Sequence, residues 1–593
     1  MNDNPHAEYL RRLESQRLSL SAYEHRHGQL GTAKLVAAFA VLALFVCGLE
    51  WQAVSVVWCV VPVAAFVVLE IIHVRLLRSL KRCSRTIAFY ERGVARLENR
   101  WMGTGETGEA FQGASHPYAR DLDLFGKASL FEFLCTARTG VGQQILAQWL
   151  LAPSSLDEIQ SRQAAVTELR SKLDLREEMA IFGEEWRSGV RPEALTAWAE
   201  APPVLSVKPM RIAAIGFRAL WIASLAAWAI GGLWPLLAAS SVLSLVFRSR
   251  LVERVRKIVP SERFAPDLKL VAGVLARLER ERFSAAKLLQ LQSAMREGGT
   301  SPSESIGKVS GLIESLQSRR NPFVAFVDPF VHWTTLTAFA IESWRQKFGP
   351  AVPHWLNAVG EMEALTALAG YAYEHPADVF PEFTDGRALF QAEGLAHPLL
   401  PEGQAIQNDV AIGAEMPLVI ISGPNMAGKS TLIRAIGINA VLAQCGAPVR
   451  ARRLRLSRLQ VTASICVLDS LQGGVSRFYA EIRRLKLIAE LTGGRLPVLF
   501  LLDELLSGTN SHDQRIGAEA VVKSLVAKGA VGLVTTHDLA LTLMAEGAEW
   551  HAANFHFEDR LENGELRFDY RLTPGVSKTS NALQLMRSIG LEV

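Results

Sequence analysis

The sequence of 593 residues predicts an α/β domain of the P-loop type, which follows a helical region containing two hairpins of membrane-spanning helices. Three observations predict this architecture. A glycine-rich loop lies between an apolar run and a helix-like run at 417–441, and an acidic pair ends a second apolar run at 497–504. Two clusters of long apolar stretches occupy 34–69 and 212–247. Strands that alternate with helices are typical of a parallel sheet, and apolar stretches of about 20 residues are typical of helices that cross a bilayer.

The glycine-rich loop fits the pattern GxxxxGK[ST] over residues 423–430. Glycines let backbone N–H groups point at phosphates, and the helix that follows adds the positive end of its dipole. Lys429 is expected to reach the β- and γ-phosphates of a nucleotide, and the Ser430 hydroxyl to bind Mg²⁺. The residues predicted to hold ATP or GTP here are Gly423, Pro424, Asn425, Met426, Ala427, Gly428, Lys429, Ser430 and Thr431.

Two further strands end in residues that suit phosphate chemistry. The run 497–502 is apolar throughout, as expected of a strand buried on both faces, and it leads into Asp503 and Glu504. Asp503 is predicted to hold Mg²⁺, directly or through water, and Glu504 to act as a general base or to orient the attacking water. The run 530–536 leads into His537, a predicted γ-phosphate sensor. This combination predicts a nucleotide hydrolase.

Each apolar cluster divides into two stretches that are long enough, or nearly so, to cross a bilayer. The hydrophobic share of 49% and the mean hydropathy of +0.16 are high for a cytosolic ATPase. Basic residues lie mostly outside the clusters, so the positive-inside rule places the ends of both hairpins in the cytoplasm. The chain is therefore predicted to be a multi-pass protein of the cell membrane that contacts lipid through two hairpins, with the ATPase in the cytoplasm. Buried helical hairpins in a soluble protein are the alternative.

Other parts of the chain give weaker indications. The stretch 323–341 is apolar but contains Asp328 and His332, and it is predicted to be a core helix rather than a fifth span. Six cysteines without a CxxC pair argue against a zinc site or a disulfide framework. A net charge of +4 gives no global basic field of the kind that marks nucleic-acid binders. The candidate DNA-contacting residues, which a solvated helix face explains equally well, are Arg277, Arg280, Arg282, Lys287 and Arg296.

The residues of the predicted nucleotide site resemble the MutS family of DNA mismatch repair ATPases. The similar segments are 423–431, 503–510, 535–539 and 572–585 in the ATPase, and 124–169 and 361–369 in the family's helical core, or lever, domain. His397 and Asn408 lie where the family approaches the base of the nucleotide. Gly474 and Ser476 match the family's signature loop, which reaches the nucleotide of a second subunit.

The resemblance implies an ABC-type ATPase domain that binds ATP with Mg²⁺, a homodimer through the ATPase domains, and DNA as a partner. The sequence also departs from the family pattern. Ala427 and Gly473 stand where a glycine and a serine are usual, and the segments before 124 offer no match to the family's mismatch-reading and connector domains. DNA binding is therefore expected, whereas mismatch reading itself is doubtful.

These segments predict a membrane-anchored MutS-like ATPase with seven parts. The alternative function is an ABC-type membrane ATPase that drives transport or membrane remodelling without DNA, although four spans are few for a translocation path. The predicted parts are an N-terminal cytoplasmic helix (1–30), the first transmembrane hairpin (31–75), a linker helix and loop (76–120), the first part of the helical core (121–207), the second transmembrane hairpin (208–250), the second part of the core (251–375) and the ATPase domain (376–593).

Overall fold

The structure is a computed structural model in which the chain forms two compact units, Met1–Thr104 with Leu173–Glu184, and Gly105–Lys172 with Glu185–Val593. It describes residues 4–576 apart from 50–57, 59, 114, 188–191, 205–206, 259–263, 297–300, 317–321, 425–426, 466–476, 508, 538, 544–550 and 563–564.

The N-terminal region is helical, as the sequence predicts. Its helices are α1 (Pro5–Leu49), α2 (Val60–Leu97), α3 (Leu130–Leu134), α4 (Gly140–Leu151), α5 (Leu156–Arg170), α6 (Leu173–Arg187), α7 (Pro192–Glu200), α8 (Val207–Gly231), α9 (Trp234–Ile258), α10 (Phe264–Arg280), α11 (Ala286–Met295), α12 (Pro302–Leu316), α13 (Pro322–Val331), α14 (Trp333–Phe348) and α15 (Val352–Glu374).

In the first unit, α1 and α2 pack against each other as an antiparallel hairpin. The rings of Tyr9 and Tyr90 lie 5.6 Å apart at one end, and Lys34 Nζ lies 2.6 Å from Glu70 Oε2 nearer the other. Each helix is uninterrupted, with 45 residues in α1 and 38 in α2. The domain boundaries predicted at residues 30 and 75 therefore fall inside α1 and α2. In each of these helices, the polar and apolar segments are parts of one continuous helix.

Within the part of the chain that the structure describes, four helices are long and apolar enough to cross a membrane: α1, α2, α8 and α9. In the most apolar 18-residue window of each helix, no more than 17% of the residues are buried. Their large apolar side chains face outward instead, as Phe39 of α1 and Ile212 of α8 do. Continuous apolar surface of this extent is typical of a face that another apolar phase covers.

The stretch 323–341, predicted as one helix, is broken in the structure. α13 and α14 are bent by 67° at His332, whose φ of 54° is left-handed. The physical reason lies in Asp328, whose carboxylate accepts hydrogen bonds from the Thr334 backbone N–H (2.8 Å) and hydroxyl (2.9 Å). These bonds satisfy donors in the first turn of α14, so a new helix starts there.

In the second unit, α15 is the central helix of the core and packs against α4, α5 and α11. Its Glu363 is fully buried and accepts hydrogen bonds from the backbone N–H groups of Arg138 (3.2 Å) and Thr139 (3.3 Å), and from the Thr139 hydroxyl. Burial raises the pKa of Glu363 to about 6, although these hydrogen bonds oppose the rise. The carboxyl group thus joins α15 to the start of α4.

The C-terminal region is mixed α/β, as the sequence predicts. Its elements are β1 (Glu382–Phe383), β2 (Leu389–Leu395), β3 (Asn408–Gly413), β4 (Leu418–Ser422), α16 (Lys429–Cys445), β5 (Arg453–Leu456), β6 (Gln460–Ser464), α17 (Arg477–Leu491), β7 (Val498–Asp503), α18 (Ser511–Ala527), β8 (Val531–Thr536), α19 (Leu539–Thr542), β9 (Ala552–His556), β10 (Asp559–Glu562), β11 (Glu565–Phe568) and β12 (Thr573–Pro574).

The main sheet has the strand order β12-β9-β4-β8-β7-β6, in which all strands except β12 run parallel. β4 and β8 are buried along their whole length, which explains their uninterrupted apolar sequences. In register, Ser422 lies beside Thr536, and Asp503 beside Thr535. Three neighbouring strands therefore end at the same edge. A second sheet has the order β1-β5-β2-β3.

We expect Glu363 to make the stability of the helical core depend on pH. Its folded-state pKa of about 6 lies above its ordinary 4.5, so its contribution is complete below pH 4.5 and is lost as the pH rises through 6. The loss should be about 2 kcal/mol. Thermal unfolding in detergent between pH 4.5 and 7 should show this step in the wild type and not in Glu363→Gln. Parallel pH profiles for the two proteins would contradict the raised pKa.

Candidate functional site

The glycine-rich loop connects β4 to α16 at the carboxyl edge of the main sheet. Gly423 and Gly428 have φ values of 147° and 101°, which side chains rarely tolerate. A Cβ atom on Gly423 would also lie 3.0 Å from the Phe557 carbonyl oxygen. The two glycines are therefore required by the path of the loop. Ala427 is buried beneath it, while Asn425 and Met426 lie outside the described residues.

Lys429 begins α16 and turns its side chain back into the loop. Its Nζ donates to the carbonyl oxygens of Gly423 (2.6 Å) and Pro424 (3.1 Å), and the side chain is only 4% exposed. Burial lowers the pKa of Lys429, whereas nearby Glu504 and Asp503 raise it. A buried ammonium of this kind gains most from an additional anion, because desolvation has removed its water.

Asp503 joins three elements of the site through its two carboxylate oxygens. Ser430 Oγ of α16 donates to Oδ2 at 2.6 Å, and the Thr535 hydroxyl of β8 donates to Oδ1. Carboxylate and hydroxyl oxygens suit Mg²⁺, which commonly takes one or two protein ligands and completes its shell with water and phosphate. Within the described residues, no group of three or more His, Cys, Asp or Glu is placed to hold a metal ion.

Glu504 follows β7 in a turn with unusual backbone geometry. Its φ is 46°, and its N–H donates to both the carbonyl and hydroxyl oxygens of Thr535, each at 3.2 Å. Its Oε1 lies 3.8 Å from Lys429 Nζ and 3.7 Å from His537 Nδ1. A strained turn that holds a carboxylate between two cationic or titratable groups is a feature of functional sites.

The turn is supported by Glu481 of α17, which was not identified from the sequence. Its buried carboxylate accepts a 2.6 Å hydrogen bond from the backbone N–H of Leu506, whose φ is 56°. The left-handed position at Leu506, two residues after the one at Glu504, thus has a polar anchor from another helix. The contact joins α17 to the loop that carries Glu504.

A cavity of about 550 Å³ opens beside the loop, within the size range of small-ligand sites. One part has the polar groups of Lys429, Ser430 and Glu504, and another has aliphatic and aromatic side chains. The cavity is lined by Leu395, Ala396, His397, Leu400, Gln404, Ala405, Ile406, Asn408, Pro424, Gly428, Lys429, Ser430, Thr431, Leu432, Ala435, Glu504, Phe557 and Tyr570.

His397 lines this cavity as a neutral imidazole. Burial lowers its pKa to about 4, and the positive charges of Arg434 and Arg450 add to the effect. Its Nδ1 accepts a 3.3 Å hydrogen bond from the backbone N–H of Leu399, which leaves Nε2 as the protonated nitrogen. A neutral donor beside apolar walls can recognise a polar edge of an aromatic base.

The side-chain amide of Asn408 binds the backbone of residues 570–572 and fixes its conformation. Its Oδ1 accepts from the Leu572 backbone N–H at 2.7 Å, and its Nδ2 donates to the Tyr570 carbonyl oxygen at 3.0 Å. These bonds hold Tyr570 at a φ of 53°, with its ring at the mouth of the cavity and 44% of the residue exposed. Tyr570 is a pocket residue that the sequence analysis missed.

The structure therefore brings together most of the residues predicted for the site. Gly423, Lys429, Ser430, Asp503 and Glu504 converge on one edge of the sheet, with His537 beside Glu504. Gly474 and Ser476 of the predicted signature loop lie outside the described residues, so their prediction stays open. Thr535 lies in the segment 535–539, which resembles the MutS family. Its bond to Asp503, however, depends on the register between β7 and β8, which cannot be read from the sequence.

Asp121 of the helical region binds three elements of the α/β region. Its buried carboxylate accepts from the Ile465 N–H after β6 (2.8 Å) and from Arg484 of α17 (2.8 Å). Its carbonyl oxygen accepts from Arg434 of α16 at 3.1 Å. The helix that begins at Lys429 is thus coupled directly to the segment that precedes α3.

Comparison with known proteins points to one family. The family model MutS domain V matches residues 419–592. Endonuclease MutS2 of Thermus thermophilus is 32% identical over 249 residues, covering 40% of this chain and 31% of that protein. DNA mismatch repair protein MutS is 32% identical over 239 residues in Natronomonas pharaonis and 31% over 260 in Geobacillus thermodenitrificans, covering 27% and 28% of those proteins.

The chain spans less than a third of the length of these relatives. The family model begins within β4 and covers the glycine-rich loop, Asp503, Glu504 and His537. These matches confirm, for the C-terminal region, the resemblance read from the sequence. The C-terminal region of the chain, residues 419–592, is thus similar to domain V of the MutS family.

Proposed function

We propose that this protein is a membrane-anchored MutS-type ATPase, which binds and hydrolyses ATP with Mg²⁺ and binds DNA. The observation that supports hydrolysis best is the arrangement at the polar end of the cavity. There a buried lysine, a serine–aspartate pair and a second carboxylate lie around one loop. Positioning and electrostatic stabilisation are what phosphoryl transfer needs from a protein.

In this proposal, each residue of the polar end has a separate task. Lys429 and the backbone N–H groups at the start of α16 bind the β- and γ-phosphates, while Ser430 and Asp503 hold Mg²⁺. The bound ion would neutralise charge on the phosphate oxygens. Glu504 accepts a proton from the attacking water, and His537, 3.7 Å from its carboxylate, responds to the γ-phosphate.

The other end of the cavity is proposed to hold the base. Tyr570 offers an aromatic face for stacking, and Ile406 and Leu395 offer apolar walls. The neutral His397 donates from Nε2 to an acceptor on the base edge. This assignment gives the 570–572 segment a direct part in binding the nucleotide.

A homodimer through the ATPase domains is the proposed oligomer, with Gly474 and Ser476 of one subunit completing the site of the other. The support comes from the family and from α17 and α18, which expose Ile482 and Ile516 to solvent. Exposed aliphatic side chains on neighbouring helices suit a protein contact.

DNA binding is proposed because of the relatives, whose names state DNA mismatch repair and endonuclease functions. Two of the five basic residues predicted to contact DNA have acidic partners within the chain. Arg277 pairs with Glu281 at 2.6 Å, and Lys287 pairs with Glu158 at 2.9 Å and Glu361 at 3.0 Å. Arg277 and Lys287 are therefore poor candidates for phosphate contacts, whereas the prediction for Arg280, Arg282 and Arg296 is not affected by these pairs.

Membrane anchoring is proposed for α1, α2, α8 and α9, whose outward apolar surfaces match the needs of a bilayer. If so, the full chain stays in the membrane fraction after a carbonate wash at high pH, and recovery in the supernatant would refute anchoring. The family match favours this function over a transport ATPase.

Substitution of Glu504 should separate ATP binding from hydrolysis. Glu504→Gln removes the proton acceptor but keeps the shape of the turn, so ATP stays bound while kcat falls by about 100-fold or more. Lys429→Ala should abolish ATP binding, because the buried cation that faces the phosphates is lost. Binding and turnover of the detergent-purified protein measure both effects. Glu490→Gln on the exposed end of α17 is the control, and wild-type turnover in Glu504→Gln would refute the base assignment.

Substitution of Tyr570 should weaken nucleotide affinity without affecting the chemical step. Tyr570→Ala removes the stacking face, and the dissociation constant for ATP should rise about threefold to tenfold, with kcat unchanged at saturation. Tyr570→Phe keeps the ring and should bind as the wild type does. Equal affinities for the alanine and phenylalanine variants would exclude stacking.

The dimer and the DNA interaction can be measured on the hydrolysis-deficient variant. Glu504→Gln in detergent should double its protein mass when Mg²⁺ and ATP are added, whereas Lys429→Ala should not.

DNA should stimulate the ATPase activity of the wild type, with an affinity that falls as salt is added, because phosphate contacts release counterions. A constant mass would exclude the nucleotide-driven dimer, and a salt-independent response would exclude phosphate contacts.

A further inference from the structure

α13 is a short apolar helix whose surroundings differ from those of a core helix. It has ten residues, and Phe326 on its outward face is 74% exposed. We propose that α13 is a third membrane-contacting element, which lies against the hairpin of α8 and α9 with its outward face in the cytoplasmic half of the bilayer. The proposal rests on the membrane anchoring proposed above.

The first support is the position at which α13 contacts α8. The ring of Phe330 stacks on Trp221, with ring centroids 5.3 Å apart and planes 12° apart. Trp221 lies near the middle of α8, roughly 15 Å along the axis from its end at Gly231. α13 therefore packs on the apolar part of α8 that would lie within lipid, rather than on a polar end.

A buried polar contact holds α13 against α9. Arg248 Nη1 lies 3.3 Å from Asp328 Oδ2, and the same carboxylate accepts two hydrogen bonds from Thr334. A buried carboxylate with this many partners keeps a defined geometry, because losing a partner would leave a charge uncompensated. The bend at His332 and the attachment to the hairpin thus depend on one residue.

The outward face of α13 continues the apolar surface of the hairpin. Leu245 and Val246 of α9 are exposed and directly precede Phe247, whose ring lies 5.5 Å from that of His332. Phe326 and the exposed Ala325 extend this surface onto α13. At roughly 15 Å, a helix of this length is too short to span a bilayer but suits its interfacial zone.

Basic residues precede the helix in the sequence and lie beyond its C-terminal end in the structure. Arg319 and Arg320 precede α13 in the sequence, although they lie outside the described residues. Beyond the other end, Arg256 lines a cavity of about 330 Å³ together with Arg248, whose charge is paired with Asp328. An apolar helix flanked by arginines suits the boundary between acyl chains and anionic headgroups. A lipid surface is therefore the occupant that this face fits.

Fluorescence quenching in nanodiscs tests the proposal on the full chain. Three variants each carry one added, exposed cysteine for labelling with a nitrobenzoxadiazole dye: Phe326→Cys on α13, Val242→Cys on α9 and Ile516→Cys on α18. In all three, Cys47, Cys59 and Cys466 are replaced by Ser, and the remaining native cysteines, Cys83, Cys135 and Cys445, are buried. The lipids bear a nitroxide spin label on the acyl chain. We expect quenching at positions 326 and 242 to be at least threefold stronger than at 516.

The controls separate this inference from the proposed anchoring. Quenching at 242 but not at 326 would overturn the placement of α13 and leave the hairpin in the membrane. Quenching at neither position would overturn the anchoring together with the inference. A third outcome is that the dye at position 326 is not quenched and Phe326→Cys forms a disulfide between two chains on oxidation. In that case a second copy of the protein covers this face, and the lipid assignment is wrong.

Discussion

The carboxylate of Asp503 is the interaction on which the geometry of the site depends. It receives Ser430 from the helix after the loop and Thr535 from the neighbouring strand, so one side chain aligns three segments. The alignment is possible because β4, β8 and β7 are adjacent, parallel and in register at their carboxyl ends. The next residue, Glu504, then has a fixed position relative to Lys429.

The site is also joined to the helical region by buried polar contacts. Asp121 binds elements on both sides of the main sheet, and Glu363 joins the central helix α15 to α4. Buried charged groups with several partners tolerate little displacement, because an unpaired charge in the interior is costly. A change at the start of α16 therefore has a direct structural route, through Arg434 and Asp121, to the segment that packs beside the core.

The local parts of the fold and site could be predicted from the sequence, whereas the long-range parts could not. The strands and the loop at 423–430 are encoded by apolar runs and glycines that lie next to each other in the chain. Tyr570 was missed because Asn408, 162 residues away in sequence, sets its conformation. The break at His332 was missed for a similar reason, since Asp328 is fixed partly by Arg248 of another helix. Apolar periodicity alone does not report such contacts.

The continuity of α1 has a mechanical consequence. A helix of 45 residues is roughly 68 Å long, more than twice the thickness of a hydrocarbon core of about 30 Å. If the apolar half is embedded, the remaining half projects as a stiff rod without a hinge. A few degrees of tilt at the buried end would displace the far tip by several ångströms, so bilayer thickness or curvature would be converted into motion well away from the lipid.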